Sequence, residues 1–232
     1  EKMTSDIWFR IIAVIIGYAL GNFTTGYFLG KSVNVDIQKE GSGGVGMTNT
    51  MRTLGAKAGA ITFIVDYLKC VLAMFIVYFI FKDKADYIGI DMIYAGIGTI
   101  FGHNFPVILK FKGGKGIACS AGLVSIMFPK IFAISLAIFL IATLVSKYVS
   151  LGSILGSISY GVCVIIFGIM GWLRMPAFPW LTYPDEYLME VYIVMLFATA
   201  LAIFQHRSNI VRLINHNENK ISFGSKDKKK VD

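Results

Sequence analysis

Two glycine-rich stretches hold the residue types that bind anions. The first is Gly41-Ser42-Gly43-Gly44-Val45-Gly46-Met47-Thr48-Asn49, with four glycines in six positions and Arg52 three residues further on. Residues without a Cβ reach backbone conformations closed to others, so successive N–H groups can converge on one anion. Arg52 adds a forked phosphate contact. No GK[ST] follows at the required spacing, so this is not a Walker A loop. The second stretch runs from His103 through Lys110 and Lys112 to Gly113-Gly114-Lys115-Gly116. Lys115, framed by glycines, reads as an exposed point charge beside bare backbone amides. Lys110 and Lys112 read as anchors at a membrane surface, and His103 favours a structural hydrogen bond over a catalytic role.

Two smaller constellations follow. Ser150-Leu151-Gly152-Ser153 is a polar patch at the start of an apolar run, where Ser150 suits a helix cap. In His206-Arg207-x-Asn209-x-x-Arg212, His206 and Asn209 are three apart and share a helix face. An imidazole and an amide so placed can orient and deprotonate a hydroxyl. The same stretch also reads as a basic interfacial helix with Ile210, Leu213 and Ile214 in lipid. Asp66 and Lys69, three apart inside an apolar run, read as each other's partners, although ionisable residues in such runs are costly and often functional.

These residues must be positioned by membrane helices. Of 232 residues, 56% are hydrophobic and the mean hydropathy is +0.67, too apolar for an ordinary soluble domain. Residues 11–30, 92–109 and 148–173 carry no charge, and about 20 apolar residues span a bilayer. The net charge of +8 is unevenly placed. Lysines and arginines gather at 110–115 and 207–230, whereas the connections near 82–91 and 174–190 are slightly acidic. That is the positive-inside pattern, and it argues against a nucleic-acid partner, whose site would be one exposed basic face. Cys70, Cys119 and Cys163 lie in apolar runs without metal-ligand spacing and read as packing residues. The first apolar run lacks an A-x-A-like cleavage signal and is read as a retained span.

The predicted spans are 7–29, 56–81, 88–105, 151–173 and 188–205, with a hairpin of two short helices at 117–129 and 131–146 turning at Pro129. Counting the hairpin as two gives an all-α integral membrane fold of seven segments, N-terminus outside and C-terminus cytoplasmic. Only then do all four polar stretches share the cytoplasmic face. Residues 1–220 form one polytopic domain, 174–187 with Trp180 and Tyr183 an interface loop, and 221–232 a basic, disordered tail.

Taken together, GSGGVGMTN with Arg52, DYLK at 66–69, GHNFPVILKFKGGKG at 102–116, VSLGS at 149–153 and HRSNIVRL at 206–213 followed by Glu218 carry a resemblance. Over roughly residues 10–220 the chain resembles the bacterial acyl-phosphate:glycerol-3-phosphate acyltransferases of the inner membrane. It departs from them at Gly44, where Asn is usual, at Met47, where Ala is usual, and at Cys70, where Gly is usual. Gly44 removes an amide side chain and leaves the backbone cradle. The resemblance implies seven helices, an acyl phosphate donor made elsewhere from acyl carrier protein, and transfer to the sn-1 hydroxyl of glycerol 3-phosphate. Lysophosphatidic acid and phosphate would be the products, and coenzyme A thioesters would not serve as donor. The HxxxxD motif of other glycerol-phosphate acyltransferases is absent, since Ile108, Val211 and Ile221 stand five places after the three histidines.

Both substrates then carry phosphate, and the sequence offers two anion sites. The donor phosphate is expected on the Gly43, Gly44, Gly46, Thr48 and Asn49 loop. Glycerol 3-phosphate is expected against Lys115, Arg52 and Ser42, with Gly113, Gly114 and Ser150 lining the site and His206 and Asn209 on its hydroxyls. His206, Ser42, Lys115 and Arg52 form the candidate catalytic group, with His206 the best protein base. Ser42 has no adjoining base, which favours direct transfer with Ser42 binding. No metal or cofactor is expected; the partners are the two substrates and membrane lipid. Two rivals make different demands. A transporter of phosphate esters would place basic residues near the bilayer midplane, often with internal repeats. An alcohol phosphotransferase would need a carboxylate-rich metal motif.

Overall fold

The computed structural model describes residues 2–174 and 183–221, without the side chains of residues 2–6. Trp180 and the tail from residue 222 onward lie outside these described residues. The described chain forms ten α-helices and no strand: α1 (Lys2–Gly21), α2 (Thr25–Ser32), α3 (Met47–Leu54), α4 (Ala56–Phe81), α5 (Ile88–Asn104), α6 (Ile117–Met127), α7 (Pro129–Ser146), α8 (Val149–Ile169), α9 (Asp185–Gln205) and α10 (Arg207–Ile214). Six helical stretches are long and apolar enough to cross a bilayer. They present Ile64, Leu72, Phe79, Ile141, Val145 and Ile193 outward. So large an apolar surface suits lipid and not water.

α5 is the most buried of these helices, and it packs against α1 through small residues. A Cβ on Gly17 would lie 2.0 Å from the Ala95 carbonyl oxygen, and one on Gly98 would lie 2.4 Å from that of Val14. Without a hydrophobic driving force inside lipid, such close backbone approach is how helices hold together. The core is completed by Cys70, Met74 and Val77 of α4, Leu123 and Met127 of α6, Ile131 of α7, and Val191 and Met195 of α9. All three cysteines are free.

Three expectations about the elements are corrected. The first span is not one helix. It breaks at Asn22–Thr24, where Asn22 donates from Nδ2 to the Tyr18 carbonyl (2.7 Å) and accepts from the Val107 N–H (2.7 Å). Residues 47–54, which lie between the predicted spans 7–29 and 56–81, form α3, separated from α4 by Gly55 at φ +94°. The hairpin is unequal: the break falls at Phe128, α7 has 18 residues and α6 only 11. At 1.5 Å per residue α6 is about 16 Å long, well short of a bilayer core. It is tolerated because it is buried in protein, and Tyr183 donates its hydroxyl to the Met127 carbonyl (3.0 Å) at its C-terminal end.

Candidate active site

Asn49, only 3% exposed, builds the first glycine loop from within. Its Oδ1 accepts from the Ser42 N–H (2.9 Å), and its Nδ2 faces the carbonyls of Ile37 (3.2 Å), Glu40 (3.0 Å) and Gly44 (2.9 Å). Gly41 (φ +58°) and Gly43 (φ +71°) make the turn in the left-handed region, and a Cβ on Gly41 would meet Asn49 Oδ1 at 2.3 Å. Gly44 and Gly46 are different. Neither has positive φ; among the described residues a Cβ on Gly44 meets only Ser42 Oγ at 3.7 Å, and one on Gly46 meets nothing within 4 Å. The fold does not require glycine at these two positions. Their missing side chains leave the N-terminus of α3 open, and among the described residues none accepts from the N–H of Gly44, Gly46, Met47 or Thr48. The helix dipole that favours an anion here is therefore that of α3, not of the following span. Ser42 is exposed and Thr48 half-buried.

The second loop differs from its sequence reading. The amides of Gly113 and Gly114 are not bare: they donate to the Asn104 (3.2 Å) and His103 (3.0 Å) carbonyls. These glycines are needed because Cβ atoms would come within 2.1 Å of the His103 carbonyl oxygen and of its Nε2, respectively. Lys115 is not an exposed point charge but a half-buried one. Its Nζ donates to Asn209 Oδ1. Burial lowers its pKa to about 8; Glu218 opposes the shift, and Arg212 and Arg52 add to it.

Glu218, given no role by the motif reading, organises this cluster. It is 8% exposed and accepts from Asn209 Nδ2 (3.1 Å) and Arg212 Nε (2.8 Å). It arrives by chain reversal: α10 ends at Ile214, His216 adopts φ +55°, and the Asn217 N–H returns to the Arg212 carbonyl (2.9 Å). The strap then passes Arg52, whose Nη2 donates to the Asn219 carbonyl (3.3 Å), and pairs the Ile221 N–H with the Lys147 carbonyl (2.8 Å). Arg52 thus lies on the same cluster.

His206, 2% exposed, stands between α9 and α10. Its Nδ1 lies 2.8 Å from the Ala202 carbonyl oxygen; an oxygen can only accept there, so Nδ1 carries the proton and Nε2 the lone pair. Burial first, then the charge of Lys115, lowers its pKa to about 4. The ring is neutral at pH 7.

Ser150 does not cap α8. The helix begins one residue earlier, at Val149, so Ser150 lies past the cap position and turns inward. Its Oγ is buried and unpartnered among the described residues. Gln38 Nε2 donates to the Lys112 carbonyl (2.9 Å) and Gln205 Nε2 to that of Gly114 (3.3 Å). With the strap contacts, these bonds bring the four polar stretches to one end of the bundle. Among the described residues no three His, Cys, Asp or Glu side chains group as metal ligands.

A lipid-facing bundle with cations, a neutral imidazole and a free helix N-terminus at one end defines an integral membrane protein built to handle anions. The sequence profile described as Glycerol-3-phosphate acyltransferase matches residues 11–216. A glycerol-3-phosphate acyltransferase of Clostridioides difficile (strain 630) is 41% identical over 221 residues, covering 93% of this chain and 97% of that protein. One of Thermoanaerobacter sp. (strain X514) is 39% identical over 214 residues, covering 92% and 96%. The crystal structure of PlsY (YgiH), an integral membrane glycerol 3-phosphate acyltransferase, in its glycerol 3-phosphate form, superposes with a TM-score of 0.76 at 32% identity, covering 92% of this chain and 96% of that one. The chain belongs to the glycerol-3-phosphate acyltransferase family. It is a multi-pass membrane acyltransferase.

Proposed function

We propose that the enzyme moves an acyl chain from acyl phosphate to the sn-1 hydroxyl of glycerol 3-phosphate at the cytoplasmic face of the bacterial inner membrane. The carrying observation is the pairing of two unlike anion sites at one end of the bundle: an uncapped nest at Gly44–Thr48 and a cation cluster around Lys115. The nest suits the donor phosphate, and Lys115 with Arg52 suits the acceptor phosphate. Ser42, Gly113, Gly114 and Ser150 line the space, and Asn49 and Asn209 hold the loop and Lys115 in place. Seven crossings, with the short buried α6 as one, put the N-terminus outside and the C-terminus inside. The basic strap and loops then meet the cytoplasmic leaflet.

In the reaction the sn-1 oxygen attacks the acyl carbonyl carbon. The carbonyl π electrons move to oxygen, and on collapse the carbon–oxygen bond to phosphate breaks, phosphate leaving with the electron pair. Neutralising that phosphate makes it a good leaving group, so positioning and electrostatics supply most of the rate. The hydroxyl proton has two acceptors, His206 Nε2 and a phosphate oxygen. A pKa near 4 makes His206 a weak base, which favours the phosphate as acceptor, with His206 orienting the hydroxyl. Replacing His206 with Gln separates the two: an orienting role predicts a loss below about 100-fold in kcat, and a general base a loss of up to about 10⁴-fold. Phosphate release from acyl phosphate by purified protein, dependent on glycerol 3-phosphate, tests the whole reading. Its absence would refute it, as would topology mapping that put Ser42 and His206 on opposite sides.

A further inference from the structure

We propose that Lys69, buried in α4 away from both anion sites, is a positioning residue that sets the distance between the two loops. Its Nζ sits among four acceptors: the carbonyls of Gly21 (3.2 Å) and Phe23 (2.6 Å), Asp66 Oδ1 (2.9 Å) and His103 Nδ1 (3.0 Å). An ammonium only donates, so His103 accepts through Nδ1 and carries its proton on Nε2. From this one atom two rigid arms extend. The first follows the break between α1 and α2. Thr25 donates to the same Asp66 oxygen (3.0 Å). The adjacent Gly26 presses on the first loop, where a Cβ would lie 2.2 Å from the Val45 carbonyl oxygen and 2.4 Å from Thr50 Oγ1. The second arm is His103 itself. Its carbonyl accepts from the Gly114 N–H, and its ring occupies the place of a Gly114 side chain. Gly114 directly precedes Lys115.

Stability is a poor reason to keep such a group. An ion pair inside an apolar bundle is costly to desolvate, and apolar residues of similar size commonly replace one without loss. What an apolar replacement cannot do is share three N–H donors among these four acceptors and so hold them together. Lys69 closes the carbonyls freed by the helix break and holds a ring against the second loop. Each loop contacts its arm through a glycine, with no flexible side chain between to absorb a shift. Placement of the donor phosphate and of Lys115 is therefore set from one point.

The inference rests on the two-site reading of the substrates, and the test keeps the two apart. Full-length protein in membranes is assayed for KM of acyl phosphate and of glycerol 3-phosphate, with folded enzyme measured by gel filtration. Lys69→Met is expected to raise both KM values at least tenfold per folded enzyme. His103→Leu, which cuts only the second arm, is expected to raise KM for glycerol 3-phosphate at least fivefold and leave that for acyl phosphate within twofold. His103→Asn, which keeps an acceptor at the Nδ1 position, is expected to recover most of that loss. Adding Lys115→Ala to Lys69→Met is expected to cost less than Lys115→Ala costs alone. Lys69→Met enzyme with both KM values unchanged, whatever its yield, would overturn the proposal. If Lys69→Met gives no folded protein, His103→Leu decides: two unchanged values, or two that rise equally, overturn it. A wrong substrate reading shows differently, as Lys115→Ala and Gly46→Ala leaving both KM values unmoved.

Discussion

Replacing Lys115 with Ala is the most direct perturbation of the cation cluster. Among the described residues its Nζ donates to Asn209 Oδ1 alone, so two N–H donors can aim at a phosphate. A hydrogen bond between charged groups contributes about 1.5–3 kcal/mol. At 1.36 kcal/mol per factor of ten, losing one such contact weakens glycerol 3-phosphate binding about 10- to 150-fold. The backbone cannot shift to compensate, because Gly113 and Gly114 already touch His103. The assay is KM for glycerol 3-phosphate in membranes at saturating acyl phosphate, with Lys112→Ala as a control for exposed charge. A KM within twofold of wild type for Lys115→Ala would refute the reasoning. So would an equal rise in both variants, which would mean long-range attraction and not a contact.

Burial makes Lys115 lose its proton at an unusually low pH, so kcat/KM for glycerol 3-phosphate should fall above about pH 8. In Lys115→Arg, whose guanidinium does not titrate, that limb should move upward; an unchanged limb would count against the assignment. His206 is neutral from pH 6 upward, because burial pushes its protonation down to about 4; a limb near 6.5 that disappears in His206→Gln would contradict this. Asn49→Asp should cost more than Asn49→Ala. Ala loses the bond from the Ser42 N–H and the two N–H donors shared among three carbonyls, a few kcal/mol at about 1 kcal/mol each, whereas Asp keeps the Ser42 bond but turns a carboxylate oxygen on those three carbonyl oxygens; thermal melting checks the order. Gly46→Ala should keep the wild-type melting temperature, since its Cβ meets no atom, yet raise KM for acyl phosphate. Gly114→Ala should lower the melting temperature by several degrees.

The membrane class and the helices are legible because hydropathy acts over long windows and every unsatisfied backbone group in lipid forces a helix. What the windows miss are interruptions answered by distant residues. Asn22-Phe23-Thr24 reads as part of an apolar run. The Phe23 carbonyl freed there accepts from Lys69, 46 residues further on, a partner that no local window contains. α3 escapes a hydropathy window for the opposite reason: MTNTMRTL has no long apolar face, and it is held by lying on α4, where a Cβ on Gly59 would lie 2.6 Å from the Met51 side chain. The α6 break fell one residue from Pro129 because proline suits the first turn of the helix that follows it.

At the site, residue type is legible in the sequence and residue accessibility is not. Lys115, Asn209, Arg52 and His206 could be picked out as the groups able to handle a phosphate and a hydroxyl, and the first two touch. Which groups are free to do so depends on partners that spacing does not reveal. Asn49 looks like a ligand until its amide is found closing its own loop. Glu218 looks like one acid in a basic tail until the turn at His216 folds it back onto Asn209, nine positions earlier in the chain. That reversal brings the carboxylate whose charge acts most strongly on both Lys115 and Arg52. Arg52, Lys115 and Arg212 would repel one another without a carboxylate among them, and Glu218 offsets that repulsion. Cutting Glu218 to Gln should therefore loosen the empty site more than the loaded one. Without glycerol 3-phosphate the variant should melt several degrees lower than wild type, and saturating glycerol 3-phosphate should narrow the gap by supplying the missing negative charge. A gap of the same width with and without ligand would show that Glu218 does no more than hold the strap.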